Sequence, residues 1–122
     1  MISVQPSFCT SDYWMKDRLG ETSEILPYPF KSILKVAKMI GGSDAPVEEM
    51  DPLVGIYSAV NNPVMDERIS LKEAIKIYAE DPLSVGKKCN ATLLNVSDPG
   101  EIFKAKVEAV IQDGRLIFLQ NH

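Results

Sequence analysis

The sequence predicts a mixed α/β protein whose first two thirds alternate strands and helices and whose last third is a small β-element. Three observations carry this. Helical periodicity with start signals recurs at Asp51-Pro52 and at Ser70-Leu-Lys-Glu73. Short apolar runs at Ile2–Gln5 and Met39–Gly42 end in proline or glycine, as buried strands do. After Gly86 the period becomes strand-like, and Asp113-Gly114 between Ile111 and Leu116 is a strong type I′ hairpin signal.

Taken in order, Ile2–Gln5 is a short strand stopped by Pro6, which has no amide proton to continue a ladder. Residues 7 to 28 read as irregular or weakly helical. They form a long connection containing Trp14, Gly20 and the rigid Pro27-Tyr28-Pro29, and connections of that length are often functional. Phe30–Lys38 follows as an amphipathic helix, with Phe30, Ile33, Leu34 and Ala37 on one face and Lys31, Lys35 and Lys38 on the other. Met39–Gly42 is a buried strand running into Ser43-Asp44. Asp51 caps a helix with Pro52 at its first position and Leu53, Ile56, Tyr57 and Val60 on its apolar face; Asn61-Asn62-Pro63 ends it. The next helix starts at the Ser70 capping box, packs through Leu71, Ala74, Ile75 and Tyr78, and stops before Asp81-Pro82. Ala91–Val96, Val107–Gln112 and Arg115–Leu119 are the strands of the last third. Met15, Met39, Met50 and Met65, with Trp14, read as packing residues.

Composition narrows the function classes. With 122 residues and 45% hydrophobic content, the chain has the size of one domain, and it lacks the apolar run of a membrane span or secretory signal. The expected location is cytoplasmic. A net charge of −4 argues against nucleic-acid binding, which depends on neutralising phosphates; the three lysines are the solvated face of a helix. Cys9 and Cys89 have no C-x-x-C spacing and read as buried free thiols. The glycosylation-type triplets at Asn90 and Asn95 are idle without a secretory route.

Asp44 is the residue with most chemistry in prospect. It follows a short apolar strand and two glycines, a place where parallel-sheet enzymes put catalytic or metal-binding carboxylates. Local physics also allows Asp44 to be a plain turn residue, with Pro46 opening the next segment. Both readings stand at this point.

The segments "SVQPSF" (3–8), "YPFKSIL" (28–34), "GGSDAPVE" (41–48), "DPLVGIYSAVNNP" (51–63) and "ERISLKEAIKIYAEDP" (67–82) occur in one order and spacing. Together they resemble the C-terminal part of the amidohydrolase superfamily, in the branch of metal-dependent hydrolases acting on amides and formamides. The resemblance implies a (β/α)8 barrel with one or two divalent metals, often zinc, and a small β-sandwich built from both chain ends. By that likeness residues 1–85 are the C-terminal part of the barrel, with Ile2–Gln5 the seventh strand and Met39–Gly42 the eighth, and residues 86–122 are a hairpin or sandwich remnant. Asp44 then matches the aspartate that binds metal or its water and accepts the proton during attack on the carbonyl. Gln5 and Tyr28 match substrate-side positions, where a core or loop role is the alternative.

The departures from the family set further expectations. A whole barrel needs at least about 200 residues. The family's metal-binding histidines would precede Met1, and His122 is the one histidine present. The stretch before Ala91 lacks the family's "G-x-L-x-x-G-x-x-A-D" pattern. The chain is therefore expected to be inactive alone and not to bind the metal by itself. It is expected to self-associate or to join a complementing chain, because two barrel strands leave open edges. The alternatives are a non-catalytic binding module built on the same fold fragment and a small α/β domain whose motifs match by chance.

Overall fold

The computed structural model describes residues 1–12, 14–20, 24–79 and 86–121. The expectations for Asp81-Pro82 and His122 lie outside the described residues. The elements are β1 (Ile2–Val4), α1 (Phe8–Ser11), α2 (Met15–Leu19), α3 (Phe30–Val36), β2 (Met39–Gly41), α4 (Pro52–Val60), α5 (Leu71–Lys76), β3 (Ala91–Asn95), β4 (Lys106–Gln112) and β5 (Arg115–Leu119). Short 3-10 turns lie at Met65–Glu67 and Pro99–Lys104. The chain is thus mixed α/β. β1 and β2 pair in parallel, Ile2 opposite Met39 and Val4 opposite Gly41. Parallel partners need a long crossover, and here it carries α1, α2 and α3. β3, β4 and β5 form a separate antiparallel sheet in that order.

Local signals set most of the element starts. Asp51 accepts a hydrogen bond from Leu53 N at 2.9 Å, with Pro52 behind it, and starts α4. Ser70 and Glu73 make the reciprocal capping box of α5. Caps of this kind contribute about 1 kcal/mol each. At the hairpin tip Asp113 and Gly114 both have positive φ, 52° and 78°, as a type I′ turn requires.

The core joins Val4 and Met39 from the parallel strands to Phe30, Ile56, Ala59, Ile69, Ala74, Ile77 and Ile102. Two buried polar residues tie loops to this core. Asn62 is fully buried: its amide donates to the Tyr28 carbonyl at 2.8 Å, and its side-chain oxygen accepts from Val64 N at 2.9 Å. Glu67 accepts from Ser32 N at 2.8 Å and from Ser32 Oγ at 2.6 Å. Those two bonds hold its carboxyl below the usual carboxylate range.

The long connection, read as irregular or weakly helical, contains the short helices α1 and α2. Several expectations need correction. α3 ends at Val36 and α5 at Lys76, earlier than the apolar pattern suggests. Beyond α5 the Ile77 carbonyl accepts from Gly41 N at 2.7 Å, so the chain turns to meet β2. That turn buries Ile77 and leaves Ile75 exposed. Of the residues read as packing, Met39 is buried, but Met50 and Met65 are 79% and 72% exposed, and Trp14 is also exposed. They sit in turns or irregular segments outside the helices and strands whose faces form the core. Cys9 is a buried free thiol as expected, while Cys89 is only partly buried.

Candidate functional site

The C-terminal ends of β1 and β2 lie side by side. Gly42 N donates to the Val4 carbonyl at 2.9 Å, which brings Gln5 beside the start of the Gly42-Ser43-Asp44 stretch. Gln5 is partly buried, and its carbonyl accepts from Phe8 N at 3.3 Å as the chain enters α1.

α1 is fastened on two sides. Thr10 Oγ1 and Ser58 Oγ lie 2.6 Å apart, and the Cys9 thiol donates to the Ser58 carbonyl at 3.2 Å, which docks α1 on α4. Burial pushes the Cys9 thiol up to about 12, so it stays protonated and is no nucleophile at neutral pH. On the other side Ser11 Oγ donates to Glu48 Oε1 at 2.5 Å. The loops that follow the two strands are thereby clamped together by a bond spanning 37 residues of sequence. At the end of α1 Asp12 accepts from the Tyr28 hydroxyl at 3.1 Å. Burial, and then the Asp12 carboxylate, push the Tyr28 phenol up to about 12.

Asp44 stands at the outer edge of this arrangement. It has φ 59°, in the left-handed region that aspartate tolerates better than most residues. Its carbonyl accepts from Val47 N at 3.0 Å across a turn whose Ala45–Pro46 peptide is cis. Ser43 Oγ accepts from Ala45 N at 3.2 Å. The Asp44 side chain is exposed. The cap of the next helix is Asp51, so Asp44 is a turn residue by backbone with a carboxylate free to face outward at the strand end.

Next to it is a cavity of about 250 Å³, lined in part by Ser7, Ser43, Glu49, Asp51 and Tyr78. Neither Gln5 nor Asp44 is among its lining residues, so the structure puts these two at neighbouring strand ends but not in one pocket. The Tyr78 ring enters a slot between Gly41 of β2 and Gly55 of α4. A Cβ at Gly41 would lie 2.5 Å from the ring, and one at Gly55 would overlap the phenol oxygen. Burial pushes the Tyr78 phenol up to about 12, so it is neutral at physiological pH. Sequence reasoning did not find this slot. Its signal was Gly55 itself, a residue that costs an exposed helix interior about 1 kcal/mol and so implies a close approach.

A divalent metal can be tested against these donors. Among the described residues no group of three or more histidine, cysteine or acidic side chains is placed to hold an ion. A zinc site needs three or four such ligands at about 2.0–2.3 Å. The described residues do not fit one.

Comparison with known proteins gives this strand-end geometry its family. A family model described as "Amidohydrolase family" matches residues 1–118, nearly the whole chain. The chain belongs to the amidohydrolase family. It is 29% identical to "Putative amidohydrolase YtcJ" of Bacillus subtilis (strain 168) over 145 residues, covering 96% of this chain and 27% of that protein. That alignment is longer than the 122 residues present here, so YtcJ carries residues within the matched region that this amidohydrolase relative lacks. Two solved structures are similar. One is an uncharacterized metal-dependent hydrolase from Pyrococcus furiosus, 39% identical, with a TM-score of 0.59 over 63% of this chain and 17% of that one. The other is an uncharacterized metal-dependent hydrolase from Pyrococcus horikoshii OT3, 34% identical, with a TM-score of 0.58 over 62% of this chain and 18% of that one. The chain thus spans about a quarter of YtcJ's length and less than a fifth of each solved hydrolase. Among the described residues no helix is long and apolar enough to cross a membrane.

Proposed function

We propose that this chain is the carboxylate-bearing end of an amide-hydrolysing amidohydrolase and is catalytically silent alone. In this reading β1 and β2 are the seventh and eighth strands of a (β/α)8 barrel, within a barrel portion covering residues 1–85. Residues 86–122 are the remnant of the accompanying β-sandwich. Asp44 occupies the position of the family's metal- or water-binding aspartate, and Gln5 a substrate-side position. The observation that carries the reading is the pairing of "GGSDAPVE" with a neighbouring parallel strand, inside a family match over residues 1–118. The likeness to the two metal-dependent hydrolases of Pyrococcus supports a divalent metal for the complete fold, with zinc the ion favoured by the resemblance. Silence follows from chemistry: among the described residues no group of three or more histidine, cysteine or acidic side chains is placed to hold an ion, and a zinc ion that activates water needs such a set.

A cytoplasmic chain of this kind requires either a complementing chain that supplies the remaining strands or association with itself. The second, non-catalytic reading is favoured by sheet edges that no further strand pairs among the described residues. Activity separates the two parts of the proposal. The purified chain, incubated with zinc and simple formamide or amide substrates, is expected to show no turnover above buffer. Turnover without any added protein, lost in Asp44→Asn, would disprove the silence and leave the family role of Asp44 standing.

A further inference from the structure

Ser7 stands in the N-cap position of α1 and does not cap it. Its φ of −55° and ψ of −35° are helical where a capping serine is extended, and its side chain makes no bond to the first turn. The residue is only 3% exposed, and its Oγ has no hydrogen-bond partner. Among the described residues it is the one buried side-chain oxygen or nitrogen in that state. Buried hydroxyls are paired in nearly all folded proteins, because an unpaired one has lost its water and gained nothing in return. Ser7 lines the cavity of about 250 Å³ beside the strand ends, so the partner it lacks is one the cavity can admit.

The other lining groups indicate what kind of molecule that is. Glu49 and Asp51 contribute carboxylates to the wall, and among the described residues no lysine, arginine or histidine belongs to it. Ser43 and Tyr78 add hydroxyl oxygens, and the Tyr78 phenol stays neutral. The first turn of α4 would by itself attract an anion, but Asp51 already serves that turn, accepting from Leu53 N at 2.9 Å. Lone pairs and negative charge therefore dominate, and they suit a ligand with positive charge and N–H donors. Met50 and Pro52, both exposed, give the wall an apolar part for a few methylene groups. A cavity of about 150 Å³ is enough for benzene, so this one has room for a short-chain cation.

We propose that this cavity binds a small organic cation carrying N–H donors, an alkylammonium or guanidinium group, between the Glu49 and Asp51 carboxylates and the Ser7 hydroxyl. The site goes beyond the amide-hydrolase reading and does not depend on Asp44, which is not among the cavity's lining residues. Titration of the purified chain with n-propylammonium chloride, followed by backbone amide chemical shifts, is expected to show saturable changes centred on Ser7, Gly42 and Gly55. Tetramethylammonium, charged but without N–H, and propionate, of opposite charge, are expected to bind at least about tenfold more weakly. Ser7→Ala and Glu49→Gln are each expected to weaken propylammonium binding about fivefold. Asp66→Asn, outside the cavity, is expected to leave it unchanged. Without ligand, Ser7→Ala is expected to keep or raise the Tm, because it removes an unpaired buried oxygen. A clear fall in Tm would show that the hydroxyl has a partner within the fold and would overturn the proposal. So would the absence of any saturable change with propylammonium, which leaves water as the partner of Ser7, or propionate binding as tightly as propylammonium. None of these outcomes bears on the silence of the isolated chain.

Discussion

Gly55→Ala is expected to destabilise the chain by about 1–3 kcal/mol, although alanine is the better helix former. The new methyl group would overlap the Tyr78 phenol oxygen, and the ring has Gly41 on its other side. It cannot move away without leaving the slot. The decisive version is a cycle. In a Tyr78→Ala background the slot is empty, and the same Gly55→Ala change is expected to stabilise by about 1 kcal/mol through helix propensity alone. Tyr78→Ala by itself costs the packing of a half-buried aromatic ring. Urea denaturation of the four proteins reads the coupling as a change of sign. Stabilisation by Gly55→Ala in the parent chain would mean that Tyr78 does not occupy the slot.

Asn62→Leu is expected to cost about 3 kcal/mol or more. The amide is fully buried and satisfies two backbone groups from different segments, the Tyr28 carbonyl and the Val64 amide. A leucine fills the volume but leaves both groups without a partner, at about 1–3 kcal/mol each. For a domain whose whole stability is about 5–15 kcal/mol, that is a large fraction. Asn62→Asp keeps the acceptor for Val64 N but turns a second acceptor toward the Tyr28 carbonyl, so it is expected to be destabilising as well. A loss below about 1 kcal/mol for Asn62→Leu would show that water reaches these groups and replaces the amide.

The features legible in the sequence were local ones. The Asp51-Pro52 start, the Ser70–Glu73 box and the Asp113-Gly114 turn each depend on residues within four positions of one another, and each is present in the structure. The features that were not legible join distant segments. Ser11–Glu48, Ser32–Glu67 and the Tyr28–Asn62 contact span 37, 35 and 34 residues, and no periodicity announces them. The limit of α5 also involves a distant segment: the periodic pattern continues past Lys76, while the Ile77 carbonyl accepts from Gly41 N of β2. Met50 and Met65 show the converse: apolar identity alone did not bury them, at 79% and 72% exposed.

At the candidate site the sequence left Asp44 both as a catalytic or metal-binding carboxylate and as a turn residue, and what the backbone shows is a turn just after a strand end. Its φ of 59° and the hydrogen bond from Val47 N are turn geometry, and its exposed side chain sits where the parallel pair ends. Ser11–Glu48, which clamps the loops on either side, was not foreseen. Nothing in the hydrophobic pattern marks a serine on a four-residue helix as the partner of a glutamate in a later turn.

Calorimetric titration of zinc into the purified chain, beside Asp44→Asn, tests most directly whether Asp44 stands without its ligand partners. The expected result is the same heat profile for both proteins, with no stoichiometric site. Stoichiometric zinc binding that Asp44→Asn abolishes would contradict it.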